Sequence, residues 1–233
     1  MIKKVSAAIF DYNMIEDGDK VAIGLSGGKD SMILLKILSH IKKYHKIKFS
    51  LCAITVDPFF NGIKSDLTEI CKFCEENEVE YIIKDTRLYE IIFEIRKESN
   101  PCSLCSKMRR GILVNTAKEY GCNKIALGHH KNDAVQTFFM NLLDCGSISC
   151  FSPISHLSRK DIYVIRPLIY CEETEVKSAC ERFNIPVFKS LCPVDGKTER
   201  ANIDQVILEL KEKYSDINNK VIGAMKKSNI NGW

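Results

Sequence analysis

Short runs of consecutive apolar residues alternate along the chain with longer stretches in which apolar side chains return every three or four positions. The short runs, "KVAIGL", "FSLCAITV", "VEYIIK", "NKIALG" and "YVIRPL", have the length and β-branched content of buried strands. The amphipathic stretches, near residues 31–43, 63–77, 87–97, 106–120 and 133–144, predict helices. Strands and helices in alternation predict right-handed βαβ units, and therefore an α/β fold with a doubly wound parallel sheet covered by helices on both faces. From about residue 170 the pattern turns mostly helical, most clearly in "EETEVKSACERFN" and "RANIDQVILELKEKY". This predicts a sheet-bearing domain over residues 1–170 and a helical C-terminal extension over 171–233.

Composition narrows the class. At 233 residues and 45% hydrophobic content the chain can bury a sizeable core. The N-terminal "MIKKVSAAIFDYNM" breaks its apolar stretch at Asp11, too early for a secretory segment, and no window approaches the roughly 18 apolar residues of a membrane span. The expectation is a cytoplasmic protein that does not enter a membrane. Eleven cysteines in that compartment would stay reduced, so close cysteine pairs point to metal or redox chemistry and away from a disulfide framework. The net charge of +4 says little, but local charge says more. Between Pro101 and Lys131, Lys107, Arg109, Arg110, Lys118, Lys124 and Lys131 face one acid, Glu119, a local net charge of +5. Such a segment is either a solvated helix face or a path for a polyanion.

Candidate chemistry sits where the first strand hands over to the first strong helix, at "SGGKDS", residues Ser26, Gly27, Gly28, Lys29, Asp30 and Ser31. A tight turn with a helix cap would use the same residue types. At the carboxyl end of a strand in an α/β sheet, however, glycines let backbone N–H groups approach an anion, and the positive end of the helix dipole points at it. The run is neither a Walker A loop nor a three-glycine dinucleotide fingerprint. It resembles the PP-loop of the ATP pyrophosphatase superfamily, whose adenine nucleotide alpha hydrolase-like members cleave ATP between the α and β phosphates.

A second constellation is more specific. The block "NPCSLCSKMRRGILVNTAKEYGCNKIALGHHKNDAVQTFFMNLL", with the flanking "NMIEDGDKVAIGLSGGKDS" and "VIRPLIYC", resembles the tRNA 2-thiocytidine synthetase family. The resemblance implies that Cys102, Cys105 and Cys192 hold a four-iron, four-sulfur cluster as its metal ligands, with one iron open to bind sulfur. It places Arg109 and Arg110 in the basic pair that follows the cysteine motif, Asp57 against the adenosine, and Gly128 and Asp133 in the pattern Gly-His-His-X-Asp-Asp. There Asp133 would bind Mg2+ or act as a base, while Asn132 stands where the family has an acid. A zinc site would normally want a fourth ligand, and none is evident near Cys192. Cys71 and Cys74 in "ICKFCEEN" read as packing residues of an amphipathic helix.

The activity implied by the resemblance is ATP-dependent tRNA thiolation. A cytidine C2 oxygen in the anticodon loop is adenylated with loss of pyrophosphate, and sulfur then displaces AMP. Its partners would be tRNA and a sulfur donor, either cysteine desulfurase-derived sulfur or sulfide. A homodimer is compatible with the sequence. Two alternatives share parts of the pattern. One is a PP-loop enzyme of lysidine-synthetase or 2-thiouridine type, the other a non-enzymatic RNA-binding or sulfur-carrier protein with a structural metal.

Overall fold

The computed structural model describes residues 1–98, 101–188, 192 and 200–233. Its strands are β1 (Lys20–Gly24), β2 (Ser50–Asp57), β3 (Glu80–Asp85), β4 (Lys124–Ala126), β5 (Ile154–Leu157) and β6 (Ile162–Ile165). Its α-helices are α1 (Ile2–Asp11), α2 (Lys29–Tyr44), α3 (Thr68–Glu76), α4 (Pro101–Glu119), α5 (Lys131–Asp144), α6 (Glu173–Arg182), α7 (Arg200–Lys213) and α8 (Ile217–Lys227). All five expected strands are present. The expected helix near 87–97 is a short π-helical segment, Glu90–Ile95.

The six strands form one sheet in the order β3-β2-β1-β4-β6-β5. Every pair is parallel except β5 with β6. A wholly parallel sheet was expected, and β5 departs from it because only residues 158–161 separate it from β6. So short a turn permits antiparallel pairing alone. The chain builds β1, β2 and β3 outward in one direction, then returns to lay β4 on the other side of β1. The crevice at the carboxyl ends of β1 and β4 is thus the switch point at which such sheets bind ligands.

Strand alternation divides the core in two. Val21, Ile23, Leu51, Ala53 and Ala126 face the large cluster formed with α1, α2, α5, α6 and α8. Ala22, Cys52, Ile54 and Ile125 face a smaller cluster under α4. Helix α2 is buried nearly all round, with Met32, Ile33, Leu34, Leu35 and Leu38 almost inaccessible. Lys42 and Lys43 in its last turn complement the helix dipole. The C-terminal helices share the large cluster through Val176, Ile203, Met225 and Trp233.

At the amino ends of β1 and β4 the buried Lys124 ammonium meets the Asp19 carboxylate at 2.8 Å. Asp19 also accepts hydrogen bonds from the Glu16 N–H and the Asn123 amide. With these bonds satisfied, the pair fixes the register of the two strands that flank the switch point. On the edge strand β3, exposed Glu80, Lys84 and Asp85 discourage further pairing. No helix among the described residues is long and apolar enough to cross a membrane.

Candidate active site

The loop after β1 is held by its own serines and by its neighbours. The Leu25 N–H donates to the Ile54 carbonyl, and the Thr55 hydroxyl donates to the Leu25 carbonyl at 2.7 Å. Ser31 stitches the turn together. Its hydroxyl donates to the Gly28 carbonyl at 3.0 Å and accepts the Ser26 N–H at 3.2 Å. Gly27 has φ +80, and a Cβ there would meet Phe188 at 2.8 Å and Ile70 at 2.9 Å. Gly28 is the extended N-cap of α2, so the N–H groups of the first turn point into the crevice.

The loop after β4 packs directly on this turn. A Cβ on Gly128 would lie 2.9 Å from the Asp30 carbonyl carbon, so glycine is required by close approach and not by backbone angle. His130, only 4% exposed, lies between two carboxylates, with Nε2 3.7 Å from Asp30 and Nδ1 3.4 Å from Asp133. Asp133 accepts the His130 N–H at 2.8 Å and so caps its own helix. The Asp30 Oδ1 atom is buried and has no hydrogen-bond partner among the described residues. An orphaned carboxylate oxygen beside a helix N-terminus fits a cation brought in with phosphates, since Mg2+ is usually held by one or two carboxylates and phosphate oxygens.

Lys29 turns toward α6, with Nζ 3.2 Å from Asp30 and 3.0 Å from Glu173. Burial opposes the Lys29 charge, but the Glu173 hydrogen bond and the Asp30 charge outweigh it and raise its pKa. The hydrogen bond from Lys29 lowers that of Glu173. Asn132 accepts the Glu173 backbone N–H at 3.0 Å through its side-chain oxygen. That contact needs an acceptor and no charge, which an asparagine supplies.

Cys102, Cys105 and Arg109 lie on one side of α4 at spacings of three and four. Together with Cys192 they line a cavity of about 440 Å³ between α4 and the carboxyl ends of the strands. Gly24, Ser26, Arg110 and His129 line it as well. Burial raises the Cys105 thiol above its ordinary value, the charges of Cys192 and Cys102 add to this, and Arg109 opposes it. The three thiols are therefore electrostatic neighbours. Among the described residues no three His, Cys, Asp or Glu side chains converge on a single ion. A cluster carries its ligands on different irons around a cube, so three cysteines spread around one cavity suit a cluster better than a lone metal.

A second cavity, about 200 Å³, shares Ser26, Val56, Phe60 and Arg109 with the first and reaches Gly28, Asp57 and Phe188. The Asp57 carboxylate accepts hydrogen bonds from Phe59 N, Ser65 N and the Ser65 hydroxyl at 2.9–3.2 Å. It shapes the loop that walls this pocket, combining the turn-cap and the pocket-lining roles. Cys74 is fully buried, as a packing role requires, whereas Cys71 is partly exposed and its thiol donates to the Glu75 carboxylate. The rest of "SLCPVDGKTER", apart from Cys192 and the backbone of Arg200, lies outside the described residues.

Two contributors, Glu173 and Phe188, have no local sequence signal. Glu173 and Asn132 meet across 41 positions, and the Phe188 N–H donates to the Gly27 carbonyl at 2.9 Å across 161. Only the folded chain brings them to the PP-loop.

A glycine-rich anion cradle at the switch point of a doubly wound sheet defines a nucleotide-binding domain of the PP-loop class. The chain belongs to the PP-loop domain family, which matches residues 2–211, and within it to the family of its tRNA-cytidine(32) 2-sulfurtransferase relatives. The relative from Geobacter metallireducens is 35% identical over 95% of this chain and 86% of its own length. That from Dechloromonas aromatica is 38% identical over 96% and 78%. Among solved structures, the U34-tRNA thiolase NcsA from Methanococcus maripaludis with its [4Fe-4S] cluster superposes with a TM-score of 0.78 at 27% identity. The match covers 97% of this chain and 78% of that one.

Proposed function

We propose that this protein is an ATP-dependent tRNA sulfurtransferase that converts a cytidine of the anticodon loop to 2-thiocytidine. The observation that carries this reading is one cavity lined by Cys102, Cys105 and Cys192 that shares Ser26 and Arg109 with the adjoining pocket behind the PP-loop. Two successive chemistries on one carbonyl, at O2 and then at C2, need such adjacency, because the activated base must not leave between them.

The backbone N–H groups of Gly27 to Ser31 and the α2 dipole hold the ATP phosphates, with the adenosine toward Asp57 and Mg2+ at Asp30. Arg109, at the wall common to both cavities, stabilises charge on the α-phosphate as the cytidine O2 attacks it and pyrophosphate departs. O2 is then part of a good leaving group, AMP, and a sulfur nucleophile takes its place on C2. Asp133, which accepts the His130 N–H at the start of α5, binds Mg2+ or acts as a base toward the incoming sulfur. Cys102, Cys105 and Cys192 would hold a [4Fe-4S] cluster, which supplies an iron for inorganic sulfur when three thiolates leave one iron without a protein ligand. Residues 171–233 serve as the helical extension that completes this site by supplying Cys192.

Nucleoside mass spectrometry of tRNA from cells with and without the gene tests the reading. Selective loss of 2-thiocytidine is expected. Unchanged 2-thiocytidine with loss of 2-thiouridine would move the protein to the U34 thiolation for which its structural neighbour is named. Pyrophosphate and AMP formation that needs no unmodified tRNA would remove the thiolation reading.

A further inference from the structure

On the outer side of α4 a groove of about 580 Å³ lies between that helix and the turn of the β5–β6 hairpin. The helix contributes Ser106, Lys107, Arg110 and Asn115, and the hairpin contributes Leu157 and Lys160. No carboxylate lines it. Lys107, Arg110 and Lys160 are exposed, and none of them makes an ion pair among the described residues. Other exposed cations, among them Lys46, Lys177 and Lys220, also lack an ion pair among the described residues, so what marks this surface is the gathering of three in one groove. Three cations with no carboxylate in the described lining give the groove a charge of one sign, which attracts a polyanion.

The hairpin is anchored where it forms this wall. Lys118 on α4 donates to the Asp161 carbonyl at 3.1 Å, and the Asp161 carboxylate is occupied by His156 at 3.0 Å. His156 in turn stacks on Tyr163. Asp161, the acid nearest Lys160 in sequence, is thus engaged with His156. Ser106, Arg110 and Val114 line both this groove and the cavity of the three cysteines, so the two are separated by a single helix face.

We propose that this groove holds the phosphate backbone of single-stranded RNA flanking the modified base, with the β5–β6 turn as the second wall of the track and Lys160 as a phosphate contact. The proposal rests on the tRNA reading above and adds to it an element, the hairpin, that no motif marks. A splayed loop nucleotide can place its backbone in the groove and its base over Arg110 into the cysteine cavity.

Each phosphate neutralised on a single strand contributes about 0.7 to the slope of log affinity against log salt, or roughly fivefold per tenfold change in salt. Binding of unmodified tRNA by the full chain, without ATP, is measured across a salt series for the wild type, Lys160→Ala, Lys160→Glu and Lys72→Ala. Lys72 pairs with Glu69 on α3 and serves as the control. Lys160→Ala is expected to weaken binding roughly fivefold at 0.1 M salt and lower the slope by about 0.7. Lys160→Glu should weaken it further, and Lys72→Ala should match the wild type. Thermal melts should be unchanged, because the exposed Lys160 side chain holds nothing in place. Wild-type slopes in both Lys160 variants overturn the groove assignment while leaving tRNA as the substrate. A loss of affinity with an unchanged slope overturns it too, since Lys160 would then act through hairpin shape. A wild-type chain that binds no tRNA overturns the reading on which the groove depends.

Discussion

The two faces of the sheet are packed to different ends. On one face α1, α2, α5, α6 and α8 close over side chains such as Leu34, Leu35 and Leu38, which are fully buried. On the other, α4 and the π-helical segment Glu90–Ile95 cover smaller clusters, and toward the carboxyl ends of the strands they stand off to leave the 440 Å³ cavity. The same strands build both faces, so the difference lies in what is laid on them. The closed face fixes the PP-loop by burying α2 beneath it. The open face leaves a cavity lined by Cys102, Cys105 and Cys192.

This division predicts that loss of function and loss of stability separate by face. The largest effect is expected at the cysteines. Cys105→Ala, and likewise Cys102→Ala or Cys192→Ala, should abolish thiolation and bring iron and acid-labile sulfide in anaerobic protein close to zero. Cys71→Ala on α3 should retain both. Iron retained at wild-type level in Cys105→Ala would remove the cluster from this cavity.

Next in size is the nucleotide end. Asp30→Ala combined with Ser31→Ala deletes the orphaned carboxylate and the hydroxyl that stitches the loop, and it should lower tRNA-dependent pyrophosphate release by at least roughly a hundredfold, the scale of losing a charge-stabilising group. The cluster absorbance should persist, because no cysteine ligand touches either side chain. If absorbance and pyrophosphate release fall together, the two faces are not independent.

Much of this frame was legible from the chain. The strand, glycine turn and helix around Ser26 to Ser31 are local signals, and so are the cysteine spacing in α4 and the continuous apolar run of β2. Strand β5 was not, since "ISHL" has four residues of mixed polarity and exists by pairing with β6. The role of Asn132 was hidden for a related reason: its partner is a backbone N–H 41 residues away. Phe188 likewise reaches Gly27 only through the tertiary fold. Sequence pattern marks residues whose neighbours lie within a turn or two, and it is silent on contacts made by chain return.

Stability should sharpen the same contrast at smaller amplitude. Leu35→Ala on the closed face leaves a cavity that its tightly packed surroundings cannot fill, and should cost about 3 kcal/mol in urea unfolding. Leu113→Ala removes a partly buried side chain that already borders the open cavity, and should cost only about 1 kcal/mol. Equal costs would mean that the α4 face is packed as tightly as the other.

The smallest expected effect is at Asn132, where the closed face touches the site. Its side-chain oxygen accepts the Glu173 N–H at the start of α6, and a carboxylate would accept the same bond. A negative charge at a helix N-terminus stabilises by roughly 0.3–1 kcal/mol, but here Glu172, Glu173 and Glu175 already occupy that turn. Lys131 pairs with Glu172, Lys29 with Glu173 and Lys4 with Glu175, so little uncompensated positive charge is left for a further acid. Attraction to the dipole and repulsion among the carboxylates should nearly cancel. Asn132→Asp is therefore expected to change unfolding free energy by less than about 0.5 kcal/mol, the usual scale of a surface substitution. The Mg2+ dependence of ATP binding should stay the same. A variant that binds ATP at clearly lower Mg2+ would show that position 132 addresses the metal as well as the α6 backbone, and that the charge missing there matters to catalysis.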